Sequence, residues 1–255
     1  MKKQTTLFYF VLMSFFLLQF YSCIKPPNNN FDPRDGNNVY DGCRIRTIVS
    51  QFYNNDKAPV STRQFVYNNK GNPVSVIADI TSTGSANLGF KYDNKGRLVE
   101  YNAGYPNGLY DFIHRYGYSQ NRITTDTVIN SYVNPTFISV AYLSYDNLNR
   151  VVKDAVAVIK PSPFSYIRNY DYDPGGNLVS YGVYDDKLNP HRTNKVWMLI
   201  DRNYSVNNLA GASAYNSVGL PLFYPGSDVY YAPSPFQLGY YGYGSGKITI
   251  TYDCK

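Results

Sequence analysis

Apolar residues follow two patterns along the chain. Near the start they form one block, Leu7 to Phe20, broken only by Ser14 and Gln19. Beyond residue 40 they come in short stretches that alternate with polar residues, as in Lys247-Ile248-Thr249-Ile250-Thr251-Tyr252. A period of two puts the apolar set on one face of a β-strand. Gly 19 and Pro 15, spread along the length, leave few windows in which a helix could run unbroken.

The alternating stretches belong to a repeat. Five segments superpose: Phe65 to Val74, Phe90 to Val99, Tyr116 to Ile123, Leu143 to Val152 and Tyr170 to Val179. Their marker residues Tyr67, Tyr92, Tyr118, Tyr145 and Tyr172 are 25, 26, 27 and 27 positions apart. After each marker comes Asn68, Asp93, Ser119, Asp146 or Asp173, and in four units a Gly or Asn follows three positions later: Gly71, Gly96, Asn149 and Gly176. An acidic or amide opener with a left-handed closer describes a type I turn followed by a G1 bulge, so each unit predicts a β-hairpin. The third unit is one residue shorter, which predicts a tighter turn across Ser119 to Arg122.

The turn sets the register. Asp93 is expected opposite Arg97, Tyr92 opposite Leu98 and Lys91 opposite Val99. Phe90, Tyr92 and Leu98 then share a core face, as do Phe65/Tyr67/Pro73, Tyr116/Tyr118/Ile123, Leu143/Tyr145/Val151 and Tyr170/Tyr172/Leu178. Lys91, Arg97, Arg150, Asn72 and Asn177 fall on the opposite face.

The pattern Tyr-Asp-x-x-Gly-Arg-Leu, cleanest at Tyr92 to Leu98, resembles the YD repeat of Rhs-type proteins. The chain as a whole is similar to small YD-repeat lipoproteins of Gram-negative bacteria. The likeness covers about residues 60 to 185, and Tyr184 to Pro190 and Tyr252-Asp253-Cys254 extend it. It implies a fold of stacked hairpins and says almost nothing of activity. In large Rhs proteins dozens of repeats spiral around a toxin. Five units cannot enclose such a cargo, so that role is not carried over.

Past residue 190 the repeat fades. Trp197-Met198-Leu199-Ile200 reads as a strand, with a helical turn as the other reading, and Leu209 to Phe236 reads as loop over a sheet edge. The fold class expected is all-β: an antiparallel meander of successive hairpins, curled into an open barrel-like or sandwich-like sheet. A bridge between Cys43 and Cys254 would bring its first and last strands together.

The apolar block reads as an export leader. Lys2 and Lys3 precede it, and as a helix it would be roughly 21 Å long, short of the ~30 Å hydrocarbon core. It ends in Tyr21-Ser22-Cys23, and a small residue before Cys resembles the bacterial lipobox. That resemblance implies residues 1–22 as a lipoprotein signal peptide and Cys23 as the acylated first residue, giving a membrane partner through the lipid. Residues 23–39, rich in Pro, Asn and Gly, read as a flexible tether, and 40–255 as a single all-β domain.

Charged residues make up 16% of the chain, and losing Lys2 and Lys3 lowers the formal net charge of +6 by two. No basic cluster has the density that phosphate tracking needs, so nucleic acid is set aside as a partner. Lipid would use one of three Cys, and the others, Cys43 and Cys254, are 211 positions apart in an oxidising compartment. A disulfide between them would close almost the whole domain, worth about 5 kcal/mol in the loop-entropy model. No C-x-x-C pair exists and His114 and His191 stand far apart, so no metal and no cofactor are expected.

Catalytic signals are thin. Gly242 to Lys247 invites a phosphate-loop reading, but Tyr241 replaces the first Gly and Ile248 the Ser or Thr that would hold Mg²⁺. No G-x-S-x-G elbow is present. Asp171, Asp173, Asp185 and Asp186 are the carboxylates from which a glycosidase pair would have to come. Asp126-Thr127-Val128 resembles an O-glycosylation acceptor. The best binding candidates are Tyr230, Tyr231, Tyr240, Tyr241 and Tyr243, whose rings suit stacking on sugars. The expectation is therefore a non-catalytic cell-envelope lipoprotein, anchored to the outer membrane and facing periplasm or cell surface, that binds a glycan or an envelope protein. The alternatives are an envelope enzyme acting on polysaccharide and a structural spacer.

Overall fold

The computed structural model describes residues 34–52, 57–81, 85–130, 136–226, 238–239 and 246–255. Cys23 and the five tyrosines from Tyr230 to Tyr243 lie outside them. Strands β1 (Cys43–Gln51), β2 (Val60–Tyr67), β3 (Pro73–Ala78), β4 (Asn87–Tyr92) and β5 (Leu98–Gly104) begin the meander. β6 (Tyr110–Ser119), β7 (Arg122–Asn130), β8 (Phe137–Tyr145), β9 (Val151–Lys160) and β10 (Phe164–Asn169) continue it. Each pairs antiparallel with the next. The order runs from β10 back to β1 and then crosses to β15 (Ile248–Cys254), β14 (Pro221–Tyr224) and β13 (Ala214–Tyr215), making one 13-stranded sheet. β10 and β13 are its edges, so the sheet is open. β11 (Tyr184–Leu188) and β12 (Asn207–Leu209) form a separate pair.

The turn chemistry explains the meander. Asp93 Oδ1 accepts the backbone N–H of Lys95 at 3.0 Å and of Arg97 at 2.8 Å, while its own N–H reaches the Arg97 carbonyl at 2.9 Å. Asp146 repeats this with Leu148 and Arg150, both at 2.9 Å, and Asn68 with Lys70 and Asn72. The closer needs a left-handed backbone. Gly96 has φ +77° and Asn149 φ 59°, and Asn is the residue besides Gly that tolerates this region best. In the short third unit Ser119 pairs directly with Arg122 and Gln120 takes φ 55°.

Besides the fifth unit, where the isolated bridge Tyr172 to Leu178 stands in place of a strand pair, two features differ from the sequence expectation. Tyr92 does face Leu98, but Lys91 faces Glu100, not Val99, because Val99 is an extra bulged residue. The same slip follows Tyr67, Tyr118 and Tyr145. Without the bulge Glu100 would point inward; with it, Leu98, Tyr101 and Ala103 are buried and Glu100 meets Lys91 at 2.7 Å. The second difference lies in residues 209–226, which are not all loop. Tyr215-Asn216-Ser217-Val218-Gly219-Leu220-Pro221 is a further repeat unit, with Asn216 Oδ1 accepting from Val218 and Leu220 and Gly219 at φ +84°.

The sheet curls around its tyrosine face. Gly36 donates to the Leu148 carbonyl at 2.6 Å, and it lies only seven positions, at most ~24 Å of chain, before the start of β1 at Cys43. Seven flat inter-strand steps from β1 to β8 would span ~33 Å. Ile45, Phe65, Phe90, Tyr116, Leu143 and Val156 accordingly share one core cluster, with the marker tyrosines packed at its border. The interior is filled by helix α1 (Lys195–Ile200), where the Trp197 run forms a helical turn instead of a strand. Asn194 caps it by accepting the Val196 N–H at 2.9 Å. Trp197 is fully buried, its ring edge-on to Phe65 at 5.4 Å and to Phe90 at 5.5 Å.

Candidate functional site

All the repeat turns lie at one end of the sheet, where Tyr and Arg link neighbouring units. From the second unit on, the marker hydroxyl donates to a carbonyl one unit back: Tyr92 to Pro73 at 2.7 Å, Tyr118 to Leu98 at 2.8 Å, Tyr145 to Ile123 at 2.9 Å and Tyr172 to Val151 at 3.2 Å. Each turn arginine lies over the ring one unit ahead. Arg97 sits 4.4 Å from the centre of Tyr118, Arg122 4.9 Å from Tyr145 and Arg150 4.0 Å from Tyr172. Burial pushes the Tyr118 and Tyr145 phenols up to about 12, so they act as hydrogen-bond donors.

Behind this ladder a buried polar network fixes the inner segment. Arg202, in a left-handed conformation at φ 52°, donates to Asp126 at 2.8 Å and to Asp154 at 3.2 Å. His114 Nδ1 lies 2.8 Å from Asp126, whose burial opposes its charge; His114 and Arg202 outweigh that and hold the carboxyl below the usual range. Arg192 is held by carbonyls, donating to Asp35, Ser205 and Tyr204, and burial pushes it down to about 10. His191 bridges Asn189 and Asp201, and burial lifts the Asp201 carboxyl to about 6 against the hydrogen bonds from His191 and Gly239.

Between the turns and α1 lies a cleft of about 1250 Å³. Arg44, Lys70, Arg97, Arg122, Lys195 and Lys255 line it, against Asp41 and Asp253. Arg97 is neutralised by Asp93 at 2.8 Å. The other cations have no ion-pair partner among the described residues, and Arg122 spends one donor on the Asn149 amide oxygen. Tyr92, Tyr118, Tyr145 and Tyr204 give the wall aromatic surface. The arrangement offers fixed positive charge beside rings, a surface for anionic groups on a carbon skeleton.

The sequence candidates are distributed otherwise. Cys43 and Cys254 are joined by a disulfide on the cleft wall. Asp173 accepts the Asn177 N–H as a turn opener, Asp185 accepts from Lys187, Asn208 and Tyr215, and Asp186 pairs with Lys187 at 3.0 Å. Asp126 of the acceptor-like tripeptide is buried under Arg202 in the middle of β7. Among the described residues no group of His, Cys, Asp and Glu is placed to hold a metal ion. Of the cleft cations the repeat pattern places only Arg97 on the outer face; what gathers the six is the curl, which strand patterning does not encode.

No protein-family model matches the chain, and no curated protein does. Among solved structures it is similar to a crystal structure of TcdB2-TccC3-TEV, with 12% identity and a TM-score of 0.30 over 69% of this chain and 10% of that one. It is also similar to one of TcdB2-TccC3-Cdc42, with 12% identity and a TM-score of 0.22 over 53% of this chain and 8% of that one. The chain thus spans about a tenth or less of those structures' length.

Proposed function

We propose that this chain is a non-catalytic, lipid-anchored cell-envelope protein whose turn-end cleft binds an anionic glycan. Acylated Cys23 anchors it, the segment between Cys23 and Arg34 tethers the folded domain to the lipid, and the cleft faces the aqueous side. The observation that carries the reading is the charge of Arg44, Lys70, Arg122, Lys195 and Lys255 around one cleft, none with an ion-pair partner among the described residues. The tyrosine wall beside these cations favours a sugar acid over a small inorganic anion, because apolar contact with a carbon skeleton adds to charge.

The test is a titration of the full chain with polygalacturonate, with dextran as the neutral control and polyglutamate as the acidic-polypeptide control. The reading predicts binding to polygalacturonate alone, weakening as salt rises. Arg122→Ala should reduce both affinity and salt dependence. Equal binding to polyglutamate would assign the cleft to acidic proteins instead, and equal binding to dextran would contradict the role of charge. Mass spectrometry of the protein from membranes checks acylation at Cys23.

A further inference from the structure

The β1–β15 pair has the register of a repeat unit although no turn joins its strands. In the second unit Tyr92 faces Leu98, the Asp93 N–H meets the Arg97 carbonyl, and Val99 bulges. In the β1–β15 pair Tyr252 faces Ile45, Asp253 faces Arg44, and Arg46 bulges, since Thr47 pairs with Thr251. Tyr252-Asp253 therefore stands where Tyr92-Asp93 stands, and Arg44-Ile45 where Arg97-Leu98 stands. The neighbours agree with this assignment. The Tyr252 hydroxyl donates to the Pro221 carbonyl one unit back at 3.0 Å, and Arg44 lies 5.5 Å from the ring centre of Tyr67 one unit ahead.

Where Asn94-Lys95-Gly96 closes the second unit, Cys254 is bonded to Cys43. We infer that this disulfide is the substituted turn of a repeat unit split across the sequence, and that it serves as a redox-sensitive latch on the basic cleft. The latch half of the inference rests on the cleft being the binding site. Asp93 holds its turn by accepting two backbone N–H groups, whereas Asp253 is exposed, 3.8 Å from Arg46. Past Asp253 the seam is tied by the disulfide and by the Lys255 N–H bond to the Gly42 carbonyl at 2.9 Å. Arg44, Asp253 and both cysteines line the cleft, so loosening this corner displaces one of its cations, Arg44.

Cys254 is exposed and Cys43 buried, which sets the direction of attack. A dithiol reductant attacks Cys254 Sγ as its thiolate, and the Cys43–Cys254 bond breaks with Cys43 leaving as a thiolate that takes up a proton. The reagent's second thiol then attacks the mixed disulfide, freeing the Cys254 thiol and leaving the reagent as a cyclic disulfide. Two electrons pass from reagent to protein.

The test is amide hydrogen exchange on the folded full chain, oxidised and after dithiol reduction with iodoacetamide capping, alongside polygalacturonate titration of both forms. The inference predicts exchange about tenfold or more faster in residues 43–49 and 248–254, with residues 87–130 unchanged, and a loss of affinity in the reduced form. Cys43→Ser/Cys254→Ser should match the reduced form; if that variant does not fold, native-state reduction still decides. Unchanged exchange at the seam, or faster exchange everywhere, overturns the split-unit assignment. A loosened seam with undiminished affinity overturns the latch. The exchange arm uses no ligand, so failure of the oxidised protein to bind polygalacturonate is a failure of the cleft reading alone.

Discussion

The Tyr145 hydroxyl donates to the Ile123 carbonyl at 2.9 Å, tying the fourth repeat unit to the third outside the strand ladder. The carbonyl belongs to the residue just after the preceding turn, so the bond locks the angle between consecutive hairpins. Tyr145→Phe removes the donor and leaves that carbonyl without its partner, at an expected cost of about 1 kcal/mol. Denaturant melts of Tyr92→Phe, Tyr118→Phe and Tyr145→Phe should show similar losses, since all three make the same bond. Losses within error for all three would mean the hydroxyls do not couple the units.

Arg202 is the cation shared by two buried carboxylates. Replacing it with Met leaves Asp126 and Asp154 buried without their shared cation, a loss of about 3–5 kcal/mol. Adding Asp126→Asn and Asp154→Asn to the Met variant should recover part of it. Equal stability of the single and triple variants would show that the carboxylates are not what the arginine compensates.

Gly96 tests the turn geometry without packing effects. Nothing lies within 4 Å of an added Cβ there, so Gly96→Ala pays only for its φ of +77°, about 1–2 kcal/mol. Gly96→Asn should cost less, as Asn149 does the same job in the fourth unit. Thermal melts that rank Ala no worse than Asn would contradict the left-handed closer.

Acid sensitivity should trace to Asp126. Its carboxyl is held below the usual value in the fold, so its contribution is present above the unfolded value of 3.8 and is lost as pH falls through the folded value. Denaturation midpoints from about pH 5 downward should fall more steeply for the natural protein than for Asp126→Asn. Parallel curves would remove Asp126 from the acid response.

The sequence was informative where structure is local. Opener, closer and Tyr spacing are set within ten or so residues, so four of the five hairpins, the core face and the shortened third turn were legible. The bulge after Tyr92 was not, because nothing in Val99 marks it; the clue was Glu100, which an unbulged register would turn inward. Helix α1 is too short for periodicity to separate it from a buried strand, and Asn194 as a cap was the available signal. The Tyr215 unit escaped because Tyr252 follows it by more than one repeat length, and the split unit because its halves lie at opposite ends of the sheet's sequence. The cleft depends on the curl, which brings Arg44 and Arg122 to the wall of one cleft although their strands pair only through intermediates.

The most direct measurement is amide hydrogen exchange of the oxidised full chain with and without saturating polygalacturonate. Occupancy of the cleft predicts added protection at residues 43–44, 70–72, 119–124 and 193–196, and none along the exposed edge strand β10. Protection confined to β10, or to other surfaces away from the turns, would contradict the account.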